Sequence, residues 1–394
     1  MLIAGEASGD LLAAELVEAL REKVISGSMD SSSDAQPLRT ALAPRFFGAG
    51  GPKMAAAGVE LTFDLTKHST IGISEVLKKP FQFRRLFNQL LKLAIERQPD
   101  VIIGVDYGGF NLRFGKAIKD YVRKHRSEFV PWNPKIVQFV SPQVWASRPW
   151  RAQTLAENYD LLLSIFPFEK EWYARRGTKL RVEFIGHPII GRSPESGVRS
   201  PKSAESPAVV LLPGSRCDEV RRHLPVVVGA FELMRKEIPA VCGTMVLPSE
   251  ALVEKAKAFG LPPRMEIRAC GLNEALAQAD LAITKSGTIT MECAMFGVPA
   301  VVFYRTSWPT YLLAKPIVTI KHFAMPNLLA GEEIFPEFIQ QAATPENISR
   351  AALELLRDEK RRETVKTKLA KVIASLGGPG ATNRVADAIL SLLP

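Results

Sequence analysis

The sequence predicts an α/β fold in two domains, each built on a parallel sheet, and three observations carry that expectation. At 394 residues the chain exceeds what one ordinary core accommodates, so two domains are expected. Short β-branched apolar runs alternate with helical stretches nearly throughout, the pattern of βαβ units. The alternation breaks at residues 191–207, rich in Ser and Pro with no apolar period, which reads as a linker. The expected division is therefore 1–190, a linker 191–207, and 208–379, with the C-terminal helix 380–394 packing back on the first domain. Two such domains put a cleft between their sheets, and ligands bind beyond the carboxyl ends of the strands.

In chain order, "MLIA", "FFGAG", "VIIGVDYG", "IVQFVS" and "LLLSIFPF" read as buried strands of the first domain. After the linker, "VVLLPGS", "GTMVLPS", "MEIRAC", "LAIT" and "PAVVFY" repeat the rhythm. Residues 27–38 are small and polar and read as an exposed insertion. With 46% hydrophobic and 23% charged residues the composition is globular. Cys217, Cys242, Cys270 and Cys293 lie far apart, without a zinc spacing, which suits a reducing cytoplasm. No apolar run approaches the ~20 residues of a membrane-spanning helix. The net charge of +10 fits nucleic acid, anionic lipid or phosphorylated substrates alike.

Five strand ends carry the candidate chemistry. In "LIAGEASGDLLAAELVEAL", Gly5 and Gly9 permit a tight turn and a close approach to ligand. The spacing matches neither the dinucleotide fingerprint nor the phosphate-binding loop of nucleotide triphosphatases. Glu6, Ser8 and Asp10 stand where a substrate is expected, and Asp10 reads equally well as a helix cap. Asp106 ends the apolar run "VIIGV", where a carboxylate can take a proton from an attacking hydroxyl or close an Asx turn. "VSPQVWASRPWR" supplies Gln143, Trp145 and Arg148, suited to a sugar or phosphate unless the aromatic packs on the core.

In "LLPGSRCDEVRRHLP", the N–H groups of Gly214 and Ser215 and the fork of Arg216 suit a diphosphate, and Pro225 is expected in the first turn of the following helix. In "TKSGTITMECAMFG", Ser286 or Thr288 caps a helix, and Ser286, Gly287 and Thr288 present N–H groups at its start. Glu292, four residues after Thr288, can accept two ribose hydroxyls; the alternative is an exposed charge. Asn327 reads as the N-cap of a helix beginning in "MPNLLAG". No D-x-D occurs, so the usual metal-diphosphate motif is missing.

Taken together and in order, "GEASGD", "VSPQVWA", "FIGHP", "LLPGSR", "SGTITMECAMFGVPAVVFYR" and "MPNLLAG" resemble the lipid-A-disaccharide synthases over nearly the whole chain. The resemblance implies a GT-B-type inverting glycosyltransferase of two Rossmann-like domains facing across a cleft. It implies transfer of 2,3-diacylglucosamine from UDP-2,3-diacylglucosamine to the 6-hydroxyl of 2,3-diacylglucosamine 1-phosphate, forming the β-1,6 lipid A disaccharide 1-phosphate and UDP. No metal or other cofactor is expected. Asp106 matches the family's base, and Arg216 and Asn327 match residues important for activity on the donor side. Gly214, Ser215, Arg216, Ser286, Gly287, Thr288 and Glu292 form the expected nucleotide site; Glu6, Ser8, Asp10 and Gln143 form the acceptor side.

Both substrates would be lipids, so peripheral attachment to the cytoplasmic face of the inner membrane of a Gram-negative bacterium is expected, and a homodimer is compatible with the resemblance. Ile71, Val76, Leu77 and Phe81, among Lys67, Lys78, Lys79, Arg84 and Arg85, are the expected membrane contacts. Leu86, Phe87, Leu90, Leu91 and Ala94 keep helical spacing and read as core. Two departures from the family pattern stand out: a first strand a few residues short at Met1, and the 27–38 insertion. The alternatives are another UDP-hexosamine enzyme (a muramyl-lipid transferase or a UDP-sugar 2-epimerase), a catalytically inert relative, or a nucleic-acid-binding protein. The last is disfavoured because no nucleic-acid module is present and the basic residues are scattered.

Overall fold

Thirteen strands assemble into two parallel sheets in the computed structural model, which describes residues 1–27, 44–69, 80–125, 127, 131–191 and 206–393. Residues 28–38 of the polar insertion, most of the linker (192–205), and Ile71, Val76, Leu77, Lys78 and Lys79 lie outside the described residues. Two units hold the chain: Met1–Gly191 with Leu376–Pro394, and Arg192–Ser375.

The first sheet contains β1 (Leu2–Ala4), β2 (Phe47–Gly50), β3 (Glu60–Asp64), β4 (Val101–Val105), β5 (Lys135–Phe139), β6 (Leu161–Ser164) and β7 (Val182–Phe184). Their spatial order is β3-β2-β1-β4-β5-β6-β7, every pairing parallel. The pleat sends alternate side chains into two cores. Leu2, Ala4, Ile103, Val105, Val137, Phe139, Leu161 and Leu163 pack under the helices Ala7–Gly27 and Ala381–Leu390. Ile3, Ile102, Ile136 and Leu162 face the opposite way, onto the helices Pro80–Arg97 and Gly108–His125. Leu90 and Ala94 are fully buried in that second core and Phe87 and Leu91 pack against it, so the helical stripe is core. Phe81, near the start of the same helix, is 84% exposed.

The second sheet contains β8 (Ala208–Leu212), β9 (Cys242–Leu247), β10 (Met265–Ala269), β11 (Leu281–Lys285), β12 (Ala300–Tyr304) and β13 (Glu337–Ile339), in the order β10-β9-β8-β11-β12-β13. Both sheets thus reverse direction beside their first strand: between β1 and β4, and between β8 and β11. Ligands of doubly wound sheets bind at that reversal, past the strand ends. Pro225 lies well inside the helix Cys217–Glu237, contrary to the first-turn expectation. Buried Val220, Leu224, Val227 and Phe231 form one face that starts before the proline, and burying that face outweighs the backbone bond the proline forfeits.

Candidate active site

The reversal point of the first sheet holds Asp106 in a strained, tightly strapped loop. Asp106 and Tyr107 follow β4 with φ of 51° and 46°, left-handed values that cost a non-glycine residue about 1–2 kcal/mol each. Bonds to the main chain of both residues hold them there. The Asp106 N–H donates to the Phe139 carbonyl at 2.8 Å. The Asp106 carbonyl accepts from Asn111 Nδ2 at 2.9 Å and Gln138 Nε2 at 2.8 Å, and the Asn111 N–H returns to the Tyr107 carbonyl at 3.2 Å. Both amide side chains are buried, and among the described residues Asn111 Oδ1 and Gln138 Oε1 find no partner. Strained backbone and unpaired buried acceptors cluster at functional sites.

The Tyr107 N–H and the Ser8 hydroxyl lie beside the Asp106 carboxylate and favour its charged form, but burial, and the neighbouring Glu6 charge after it, outweigh them and raise its pKa to about 6. The same two causes push the Tyr107 phenol up to about 12. Asp106, Glu6 and Ser8 are therefore brought together past the adjacent ends of β4 and β1. Gly5 has a different use from the expected approach to a ligand: a Cβ there would lie 2.3 Å from the Tyr107 ring, so the missing side chain is filled from within.

Asp10 leaves the acceptor set. It is 2% exposed, and its carboxylate accepts the N–H groups of Gly51 (2.7 Å), Lys53 (2.9 Å) and Met54 (3.1 Å). It caps the helix Pro52–Ala56, not its own, and presents no surface to a substrate. Gln143 is exposed past the end of β5 and stays available. Trp145 packs on the core, its indole N–H donating to buried Glu169 at 2.9 Å. The "FIGHP" stretch is a joint: the His187 N–H donates to Leu376 O at 2.9 Å, and Arg384 donates to the carbonyls of Ile185, Gly378 and Pro379.

At the reversal point of the second sheet, Arg216 is the N-cap residue of the helix Cys217–Glu237 and is exposed. Glu219, one turn on, gathers the neighbourhood. Its carboxylate accepts the Ser215 N–H at 3.3 Å, pairs with Arg216 at 3.5 Å, and pairs with Lys285 at 3.2 Å. Burial alone would raise the Glu219 pKa, but Lys285 and then Arg216 outweigh it and hold the carboxyl below its usual range. Gly214, at φ 136°, has no room for a Cβ, which would meet Glu219 Oε2 at 2.8 Å. Lys285 was missed in the sequence, where it reads as the polar end of a strand. The available signal was a lysine ending a buried strand, a place where the ammonium needs a partner.

Neither Ser286 nor Thr288 caps the helix Ile289–Met295 with its side chain. The Ser286 hydroxyl donates to Phe323 O at 2.7 Å and its N–H to Phe303 O at 2.9 Å, while Thr290 donates to Gly287 O at 2.7 Å. Among the described residues the N–H groups of Gly287 and Thr288 have no partner. Glu292 is half-buried, its pKa raised by burial, and no described residue pairs with it.

Asn327 is not an N-cap and touches no open surface. It lies inside the helix Met325–Ala330, 0% exposed. Its Oδ1 accepts from Ile334 and Phe335 N–H at 2.9 and 2.8 Å, and its Nδ2 donates to Phe335 O and Glu337 Oε1, both at 2.7 Å. Glu337 in turn accepts the N–H groups of Phe323 and Ala324, and Phe323 holds Ser286. Asn327 therefore positions the Ser-Gly-Thr turn through Glu337 and Phe323, and its expected catalytic role becomes a positioning one.

Comparison with known proteins bears on the family and the fold. The family model described as lipid-A-disaccharide synthetase matches residues 1–389. A lipid-A-disaccharide synthase of Myxococcus xanthus is 35% identical over 407 residues, covering 100% of this chain and 97% of that one. Among solved structures, the glycotransferase of kitacinnamycin is 18% identical with a TM-score of 0.60, covering 100% of this chain and 98% of its own. A UDP-GlcNAc 2-epimerase from Neisseria meningitidis, bound to UDP-GlcNAc, is 10% identical with a TM-score of 0.53, covering 95% and 97%. At such identities these two share the fold alone, the two-domain GT-B arrangement of parallel sheets, and the epimerase alternative gains nothing from them. A match across both full lengths, at an identity the fold by itself does not produce, makes the chain a member of the lipid-A-disaccharide synthase family.

Proposed function

We propose that the chain moves 2,3-diacylglucosamine from its UDP donor onto the 6-hydroxyl of 2,3-diacylglucosamine 1-phosphate, with Asp106 as general base. The observation that carries the base assignment is Asp106 itself: strapped at the sheet's reversal point, with a pKa of about 6 beside Glu6. A base of that strength is about nine-tenths ionised at pH 7, yet far more basic than a solvated aspartate. As the acceptor oxygen attacks the anomeric carbon, Asp106 takes its proton. The bond from that carbon to the diphosphate breaks on the opposite face, its electron pair leaves with UDP, and the configuration inverts.

On the donor side, Arg216, Lys285 and the unpartnered N–H groups of Gly287 and Thr288 receive the charge that grows on the diphosphate. Glu292, a carboxylate without a partner among the described residues, accepts the ribose hydroxyls. Lys285→Met is expected to lower kcat/KM for the donor about tenfold or more, with kcat falling too, because the charge-assisted contact strengthens as the diphosphate departs. An unaltered kcat/KM would remove Lys285 from the donor site.

Peripheral attachment to an anionic membrane accords with this chemistry. No helix among the described residues is long and apolar enough to cross a membrane. Exposed Phe81, beside exposed Arg84 and Arg85, is the described part of the first unit's expected contact. The direct test is mass spectrometry of the lipid product together with UDP release, with and without the phosphorylated acceptor. The proposal expects a disaccharide 1-phosphate and UDP in equal amounts, only when acceptor is present. UDP release without acceptor, or an epimerised donor, would overturn it.

A further inference from the structure

We infer that residues 305–322 of the second unit form a membrane-docking surface that seats on anionic phospholipid headgroups. The inference rests on the proposed function, in which both substrates are lipids. Its own support is the surface of that stretch. The helix Trp308–Ala314 exposes Trp308 (51%), Leu312 (61%) and Leu313 (72%), three of the seven large apolar side chains that stand out among the described residues. Trp308 and Leu312 are four apart and share a face, and Tyr311 meets Trp308 edge to face at 5.8 Å. Aromatic rings with a polar atom beside aliphatic side chains suit the boundary between headgroups and acyl chains.

The charge along this stretch of chain has one sign. Residues 293–331 contain no Asp or Glu, whereas Arg305, Lys315 and Lys321 flank the helix. All three cations are exposed, and none forms an ion pair among the described residues. A merely solvated face of this chain, such as the helix Glu359–Ser375, carries both signs and pairs them. Docking of a second copy by two-fold symmetry would press the same cations toward one another, while an anionic bilayer takes the leucines and the lysines together.

Co-sedimentation with phosphatidylcholine–phosphatidylglycerol vesicles, against phosphatidylcholine alone, tests this on the full chain. Leu312→Ser/Leu313→Ser and Lys315→Glu/Lys321→Glu are each expected to weaken binding to the anionic vesicles by about tenfold or more. Because these side chains are exposed, the thermal midpoint and the rate on substrates in detergent micelles should stay at wild-type values. Unchanged vesicle binding in both variants would overturn the inference. So would unchanged vesicle binding together with a shift to a smaller species on size exclusion, which would assign the face to a second copy. Failure of the proposed transferase reaction reads out separately, as micellar wild type that releases no acceptor-dependent UDP.

Discussion

Asp106→Ala is expected to lower kcat/KM by about a thousandfold while leaving UDP binding and the thermal midpoint near wild type. General-base catalysis is worth about 10²–10⁴ in rate, and removing the base leaves alignment and leaving-group stabilisation in place. The nucleotide-binding residues belong to the other unit, so they have no share in the loss. The informative companion is Asp106→Asn. Asparagine tolerates the left-handed φ of 51° and can keep the Ser8 contact, but it cannot take a proton. If Asp106 served only the turn, the asparagine variant would remain active; the base assignment expects it to be as impaired as alanine.

Asn327→Ala is expected to fail differently, through stability. The substitution strands the N–H groups of Ile334 and Phe335 and the carbonyl of Phe335, all buried, and removes one part-buried contact to Glu337. At about 1–3 kcal/mol for each buried group left unpaired, a loss of about 3–5 kcal/mol is expected. For a unit of this size that lowers the midpoint of its unfolding by about 10 °C. Activity below that midpoint should fall as well, because Glu337 and Phe323 no longer fix Ser286. Calorimetry separates the two roles: an unchanged midpoint with activity lost would mean that Asn327 touches substrate, contrary to its position.

What was legible in the sequence follows from burial. Interior strands such as β4, "VIIGV", are covered on both faces and must be apolar at nearly every position, so they announce themselves. The three strands that went unread, β3, β7 and β13, sit at sheet edges and are only partly buried. Their residues lack a continuous apolar run because one side has no strand to meet. The reversal points were legible through the glycines and acids that follow β1, β4, β8 and β11. Asp10 and Asn327 were misread for a shared reason. Each is a small polar residue at a helix start, and its true partners arrive from elsewhere: from 41 to 44 residues away for Asp10, and 7 to 10 residues away for Asn327. Local spacing cannot show such bonds. Lys285 escaped for the complementary reason, since its meaning depends on Glu219, 66 residues earlier.

In the proposed transfer Asp106, its proton affinity raised by burial and by Glu6, is the base. Glu6→Gln removes the like charge while burial remains, so ionising Asp106 becomes easier and its pKa falls. The decisive measurement is kcat/KM against pH for wild type and Glu6→Gln, whose acid limbs report the free enzyme's base. The account predicts a wild-type limb near pH 6 and a limb at lower pH in the variant, whatever the variant's plateau rate. A wild-type limb near 4, or one that stays in place when Glu6 is neutralised, would contradict it.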